Sequence, residues 1–357
     1  MERHLKAAAR QTIEELGALN QKFAAKTILL TGAAGFLGSH FVHYFLILND
    51  CGALAKPCRL IAWDNFSRGA PPWLESIRTR GDLLCEARDI AQRHPVRLPV
   101  DFIIHAASIA SPTFYRKHPL ETMDANVMGL RHLLDGALDR PVESFLFFST
   151  SEIYGDPDPA NIPTPETYRG NVSCTGPRSC YDESKRYGET LCVNFWQTHQ
   201  TPVKIVRPFN NYGPGLKISD RRVLPDFFRD VLAGRNIVLL SDGRATRTFC
   251  YISDAMNGYL RALLSAHQGE PFNIGNESPE VSMRQLAEMV IKVSGKTLSV
   301  EHRQSEDPKY LTDNPQRRCP CLEKARRMLG YAPRVPLETG LERMFQYYLD
   351  HPVAEDK

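Results

Sequence analysis

A short apolar strand that runs straight into three spaced glycines limits what this chain can fold into. Residues 27–31 (TILLT) read as that strand, and Gly32-Ala-Ala-Gly35-Phe-Leu-Gly38 follows without a break. Apolar residues then recur at helical spacing at Phe41, Phe45 and Leu48. In such a strand–turn–helix the first glycine permits the tight turn. The second lets backbone approach a pyrophosphate, and the third lets the helix pack on the strand. Free N–H groups and the helix dipole favour phosphate at the helix start. Glycines also punctuate ordinary turns, so the flanking strand and helix are what point to a dinucleotide.

The rhythm continues. Strand-like runs at 59–63, 101–105, 145–149 and 203–207 are separated by helical stretches such as 119–138. Strands alternating with helices predict an α/β fold, a doubly wound parallel sheet with helices on both faces. After about Asn210, short apolar runs (237–240, 248–252, 272–274, 298–302) alternate with helices at 283–294 and 341–349. They predict a smaller C-terminal α/β lobe, with the ligand cleft between the lobes. The expected division is a helical extension over 1–26, a dinucleotide-binding domain over 27–209 and a substrate lobe over 210–357. Across 357 residues the net charge of +3 is too small to argue for nucleic acid or an anionic membrane as partner. No apolar run reaches membrane-spanning length, and the charged N-terminus lacks a signal-peptide core. Nine scattered cysteines, with Cys319 and Cys321 too close for paired ligands, predict no metal site and a reducing, cytoplasmic setting.

Four residues carry chemistry. Asp64 ends the second strand, where a carboxylate can accept from both ribose hydroxyls of NAD and repel the extra phosphate of NADP. Arg68 nearby weighs the other way, because an arginine can accommodate that phosphate. Tyr181 and Lys185 stand one helical turn apart on one face. A lysine ammonium beside a tyrosine would stabilise its phenolate and bring a pKa of roughly 10 toward the working range. Thr150, at the carboxyl end of the strand 145–149, can hydrogen-bond the same substrate oxygen. His105-Ala106-Ala107 ends the preceding strand, its small residues leaving room for a cofactor; His105 itself suits a structural role.

Taken in order, the glycine turn, His105-Ala106-Ala107, Thr150, Tyr181/Lys185 and the run 207–214 (RPFNNYGP) resemble extended short-chain dehydrogenases acting on nucleotide sugars. That resemblance implies a Rossmann lobe binding NAD, a C-terminal lobe binding the nucleotide sugar, and a homodimer through a helix bundle. It further implies that Phe36, Leu37, Asn65, Asp89, Ile90 and Asn126 join Gly32, Gly35, Gly38, Asp64 and 105–107 around the cofactor. Ser111, Tyr115, Glu152, Asn210, Arg222, Val223, Arg247, Tyr251 and Arg318 would meet the substrate.

Within that family the stretches 149–156 (STSEIYGD), 176–189 (GPRSCYDESKRYGE), 246–254 (TRTFCYISD) and 313–318 (DNPQRR) are similar to UDP-glucuronate decarboxylases. The implied reaction takes UDP-glucuronate through a 4-keto sugar to UDP-xylose, with Thr150, Glu152, Tyr181, Lys185 and Arg247 as the catalytic set. Arg247 could position a carboxylate or the diphosphate, or form a salt bridge inside the second lobe. The related 4,6-dehydratases carry aspartate where Ser151 stands, an acid for the departing C6 hydroxyl. The chain departs from the decarboxylases at Ile109, at Asp226, at Cys321 and in the loop 67–73 (SRGAPPW). Another C4 oxidase, a 4-epimerase or a 4,6-dehydratase remains open, as does an NAD-binding sensor or scaffold without turnover.

Overall fold

A computed structural model describes residues 2–93, 99–305 and 312–352. Its centre is a seven-stranded parallel sheet made from β1 (Thr27–Thr31), β2 (Arg59–Asp64), β3 (Leu83–Ala87), β4 (Phe102–His105), β5 (Ser144–Phe148), β6 (Val203–Pro208) and β7 (Pro271–Ile274). They lie side by side in the order β7-β6-β5-β4-β1-β2-β3. The order reverses at β1, between β4 and β2, and the crevice beyond the strands' carboxyl ends at such a switch point is where ligands bind. Strands buried on both faces read as unbroken apolar runs. In β1, Ile28 and Leu30 pack into one layer with Phe41 and Phe45, while Leu29 packs into the other with Ile61, Ile103 and Phe195.

Helices that frame the sheet and the site include α1 (Glu2–Leu16), α2 (Phe36–Asp50), α3 (Ser179–His199), α4 (Val223–Leu232), α5 (Ile252–Leu264), α6 (Met283–Ser294) and α7 (Leu337–Asp350). The amphipathic N-terminal extension is α1. It buries Leu5, Ala8, Ala9 and Leu16 against α2 and α5. His4 reaches Asp350 at 2.6 Å, and Gln11 accepts from Arg343 at 3.0 Å, which ties α1 to α7 as well.

Four features differ from the sequence reading. The edge strand β3 went unseen because only Leu83 among its residues is fully buried, leaving a weak apolar signal. The single helix expected over 119–138 is Pro119–Asp124 and Leu130–Asp139 joined by a π turn, Ala125–Gly129. The run 248–252 is not one strand: Thr246–Arg247 and Cys250–Tyr251 pair with different partners, and Ile252 opens α5. Finally, 272–274 belongs to the central sheet, with Phe272 paired to Val206. Because α5 returns the chain beneath that sheet, a cut at residue 209 does not separate two lobes cleanly. The second lobe is built from α4, α6 and short strand pairs, including Ile237–Leu239 against Val300–His302. Among the described residues no helix is long and apolar enough to cross a membrane, and no group of His, Cys, Asp or Glu could hold a metal.

Candidate active site

One cleft of about 2080 Å³ runs between the sheet's carboxyl ends and the second lobe. Drug-sized ligands fill roughly 300–1,000 Å³, so this cleft has room for two ligands in contact.

The cofactor half is made largely of backbone. Gly32 has φ +75, and a Cβ there would lie 2.7 Å from the Ala107 backbone. A Cβ on Gly38 would lie 1.9 Å from the Gly32 carbonyl oxygen, so α2 packs directly on the turn. Asp64 is oriented by the turn it serves: Oδ2 accepts from the Ala34 N–H at 2.9 Å and Oδ1 from the Phe66 N–H at 2.8 Å. Burial raises its pKa, and those two N–H groups oppose the rise. Each oxygen keeps lone-pair capacity for a ribose hydroxyl. Phe36, Leu37, Asn65, Asp89, Ile90, Ala106 and Ala107 line the same half. The cradle that a side chain would fill, and the carboxylate beside it, fit NAD. Arg68 is committed elsewhere, 3.0 Å from Asp220 and stacked 3.8 Å over the Phe114 ring.

Two residues expected at the cofactor lie beneath the cleft. His105 is buried, its Nδ1 2.9 Å from the Thr31 hydroxyl. Burial, then the Lys185 charge, push its pKa down to about 3, so it is a neutral prop. Asn126 sits in the π turn and donates to the Ser184 hydroxyl at 2.9 Å, bracing α3 from behind.

Where the halves meet, Tyr181 and Lys185 stand on the buried face of α3. The Thr150 hydroxyl hydrogen-bonds Tyr181 and also accepts the Glu152 N–H at 3.2 Å. Tyr115 stacks on Tyr181, the rings 5.0 Å apart and nearly parallel. The Lys185 ammonium donates to the Phe148 carbonyl at 2.8 Å and lies 5.9 Å from the centre of the Tyr181 ring. Burial raises Tyr181 to about 12, only partly relieved by Thr150, and lowers Lys185 to about 7. The lysine alone therefore does not bring the phenol into the working range, because desolvation of both groups outweighs their attraction.

The substrate half is an ionic cluster. Arg318 grips Glu152 with both terminal nitrogens, each 2.5 Å from a carboxylate oxygen. Arg178 hydrogen-bonds Glu152 too. Burial alone would raise the Glu152 pKa, but Arg178, then Arg318 and Arg247, hold it at about 2. Asp182, buried beside them, is raised to about 7 by burial and by Glu152. Arg247 makes no salt bridge among the described residues. It is fixed by carbonyl oxygens of Thr246, Pro315 and Gln316, while burial and Arg318 lower its pKa to about 9. Asn210 lines the cleft and donates to the Thr248 carbonyl at 2.8 Å. Ser111, Arg222 and Val223 line it as well. Tyr251 does not: its ring is buried, packed edge-on against Tyr212 and over Arg343. Arg178 and Asp182 escaped the sequence reading, although their spacing of four, bracketing Tyr181, was visible on its helix.

Residues 28–275 match a family described as the NAD dependent epimerase/dehydratase family. The chain belongs to that family. Its relatives include UDP-glucuronic acid decarboxylase 3 of Arabidopsis thaliana, 36% identical over 91% of this chain and 90% of the relative. UDP-glucuronic acid decarboxylase 1 of Xenopus tropicalis is 35% identical over 90% of this chain and 72% of its own length. Among solved structures, a dTDP-glucose 4,6-dehydratase from Streptomyces venezuelae with NAD bound superposes with a TM-score of 0.79. It is 26% identical, covering 91% of this chain and 97% of that one. A UDP-glucuronic acid 4-epimerase variant from Bacillus cereus, in complex with NAD and a fluorinated UDP-sugar, gives 0.74 at 26% identity, covering 91% and 99%. NAD is thus this family member's cofactor.

Proposed function

We propose that this epimerase/dehydratase family member decarboxylates UDP-glucuronate to UDP-xylose. One observation carries the reading: three guanidinium groups, Arg178, Arg247 and Arg318, converge around the ionised carboxylate of Glu152, while Asp182 beside Arg178 is pushed toward its neutral form. The excess positive charge suits a substrate that brings its own carboxylate. Ser151, buried at the cleft wall, stands where a dehydratase would need an acid. An aspartate there would repel a sugar carboxylate. The decarboxylase names of the relatives support the same reading.

The turn Gly32–Gly38 and Asp64 hold NAD, which supplies a hydride acceptor and donor for C4. Ionised with the help of the Lys185 ammonium and the positive nicotinamide ring that bound NAD would bring, Tyr181 takes the C4 hydroxyl proton, and Thr150 hydrogen-bonds the same oxygen. Once C4 is a ketone, the C5 carboxylate is β to it and leaves as carbon dioxide while an enolate takes the electrons. Thr150 and Tyr181 stabilise the negative charge developing on that oxygen. Arg247 and Arg318 orient the carboxylate. Glu152, held ionised, has no proton of its own to give. It orders the water that protonates C5, and the hydroxide left takes a proton from solvent; hydride then returns to C4 and Tyr181 gives its proton back to the C4 oxygen, which completes UDP-xylose.

Leu120, Met123, Met128 and Tyr187 are exposed on the helices beside the cleft, which supports pairing of two copies through a helix bundle. All nine cysteines are free thiols, in keeping with a cytoplasmic setting.

The test is incubation with catalytic NAD and, separately, UDP-glucuronate, UDP-glucose and dTDP-glucose, read by mass spectrometry. Loss of carbon dioxide from the first and no dehydration of the others is expected. An unchanged mass with inverted C4 would make the protein an epimerase, and a 4-keto-6-deoxy product from either hexose would make it a dehydratase.

A further inference from the structure

We infer that Asp220 is a positioning residue that ties the cofactor loop to the substrate arginine Arg222, so that dinucleotide and nucleoside diphosphate strengthen each other's binding. The inference rests on the proposal that the cleft holds NAD and a nucleotide sugar together.

Asp220 belongs to a short turn of the second lobe, Ile218–Asp220, and its side chain is almost wholly buried. It has two cationic partners from opposite halves of the cleft. Arg68, from the loop after β2, places Nη1 3.0 Å from Oδ1. Arg222, just ahead of α4, places Nε 2.8 Å from Oδ2, an ion contact without the alignment of a hydrogen bond. The loop is fastened to the cofactor side at its start, where Asp64 accepts the Phe66 N–H. It is fastened to the second lobe at its end, where Lys217 donates to the Arg68 carbonyl at 2.6 Å. The Ser111 hydroxyl donates to the Asp220 carbonyl at 2.7 Å, bringing the β4 loop into the same knot. Asp64 holds the Phe66 N–H, two residues of chain lead on to Arg68, and ion contacts join Arg68 to Asp220 and Asp220 to Arg222; all but Phe66 line the cleft.

The charges decide what the knot does. One buried carboxylate shared by two guanidinium groups leaves a net positive charge, and Arg222 is the partner on the substrate side. While Arg68 holds Asp220, Arg222 keeps donors for a phosphate. If the loop lets go, the buried carboxylate has only Arg222 to neutralise it and draws that side chain away from the ligand, because an unpaired buried charge is costly. A cofactor seated against Asp64 steadies the loop that presents Arg68. By linkage, a diphosphate on Arg222 must steady the cofactor by the same factor.

The test is calorimetric titration of the full chain with UDP, without NAD and with NAD saturating. NAD should tighten UDP binding by about fivefold or more, the low end of ordinary coupling. Asp220→Asn should bring that ratio below about twofold, with UDP still bound. Arg68→Met breaks the knot from its more exposed end and should do the same, and it decides the matter if the Asn variant does not fold. A ratio of one in the parent chain, or a parental ratio in both variants, overturns the inference. Absence of UDP binding under either condition overturns the nucleotide-sugar reading itself.

Discussion

The two halves of the cleft are built in opposite ways. The cofactor half is a property of backbone: two glycines, Gly32 and Gly38, where a Cβ has no room, a helix start and one carboxylate oriented by N–H groups of its own turn. The substrate half is a property of side chains brought from far apart, with Glu152 meeting Arg318 across 166 positions of sequence. The first sets where a ligand lies, the second which ligand it is. Hosting decarboxylases, epimerases and dehydratases on one frame needs a fixed first half and a variable second.

The junction between the halves should show the largest effect. Tyr181→Phe removes the group that takes the C4 proton but keeps the ring stacked on Tyr115. Turnover should fall by about two orders of magnitude or more, the usual scale for a general acid–base group, with NAD affinity retained. Near-parental turnover would make the Tyr181–Lys185 pair structural. Next comes the substrate half. Arg318→Gln removes a charged hydrogen-bonding partner, worth roughly 1.5–3 kcal/mol or about ten- to a hundredfold. The loss should appear in kcat/KM for UDP-glucuronate, with NAD binding unchanged. If NAD affinity fell with it, the two halves would not be separable. In the cofactor half, Asp64 should give NAD at least about a tenfold advantage over NADP, near 1.4 kcal/mol. Asp64→Ala should shrink it, and a direct titration showing equal affinities in the parent would take Asp64 off the ribose.

The smallest effect is a matter of stability. Burial lowers Lys185 from 10.5 to about 7. Between those values the unfolded chain binds more protons than the folded one, so Lys185's contribution to stability rises with pH across that window. Its penalty is fully present below about pH 7. Lys185→Met abolishes the penalty, so the variant should gain on the parent as pH falls from 9 to 7, by about 2 °C or more in melting temperature. A gap that stayed constant over that range would mean the ammonium is well compensated inside.

Legibility in the sequence divides along the same line. The glycine turn, Asp64 and the Tyr181–Lys185 pair are local patterns whose geometry is set within one turn or one helix, so spacing alone exposes them. Arg178 clamps Glu152 from 26 residues away, and Asp220 joins Arg68 across 152; no period or motif reports such contacts. Tyr251 misled for a related reason. It stands four residues from Arg247 in a stretch like that of the decarboxylases, yet its strand pairs with Asn211–Tyr212 and turns the ring into the core. The return of 272–274 to the central sheet was hidden too, because a short strand shows no partner until α5 has carried the chain beneath β6.

The central claim is that a carboxylate substrate is held by Arg247 and Arg318 and loses that carboxylate from a 4-keto sugar. Feeding the protein UDP-glucuronate labelled at C6, with NAD far below the substrate concentration, tests it directly. The label should leave as carbon dioxide in step with UDP-xylose, over many turnovers per NAD and with no net NADH. Label retained in a nucleotide sugar, with NADH accumulating or C4 inverted, would contradict it.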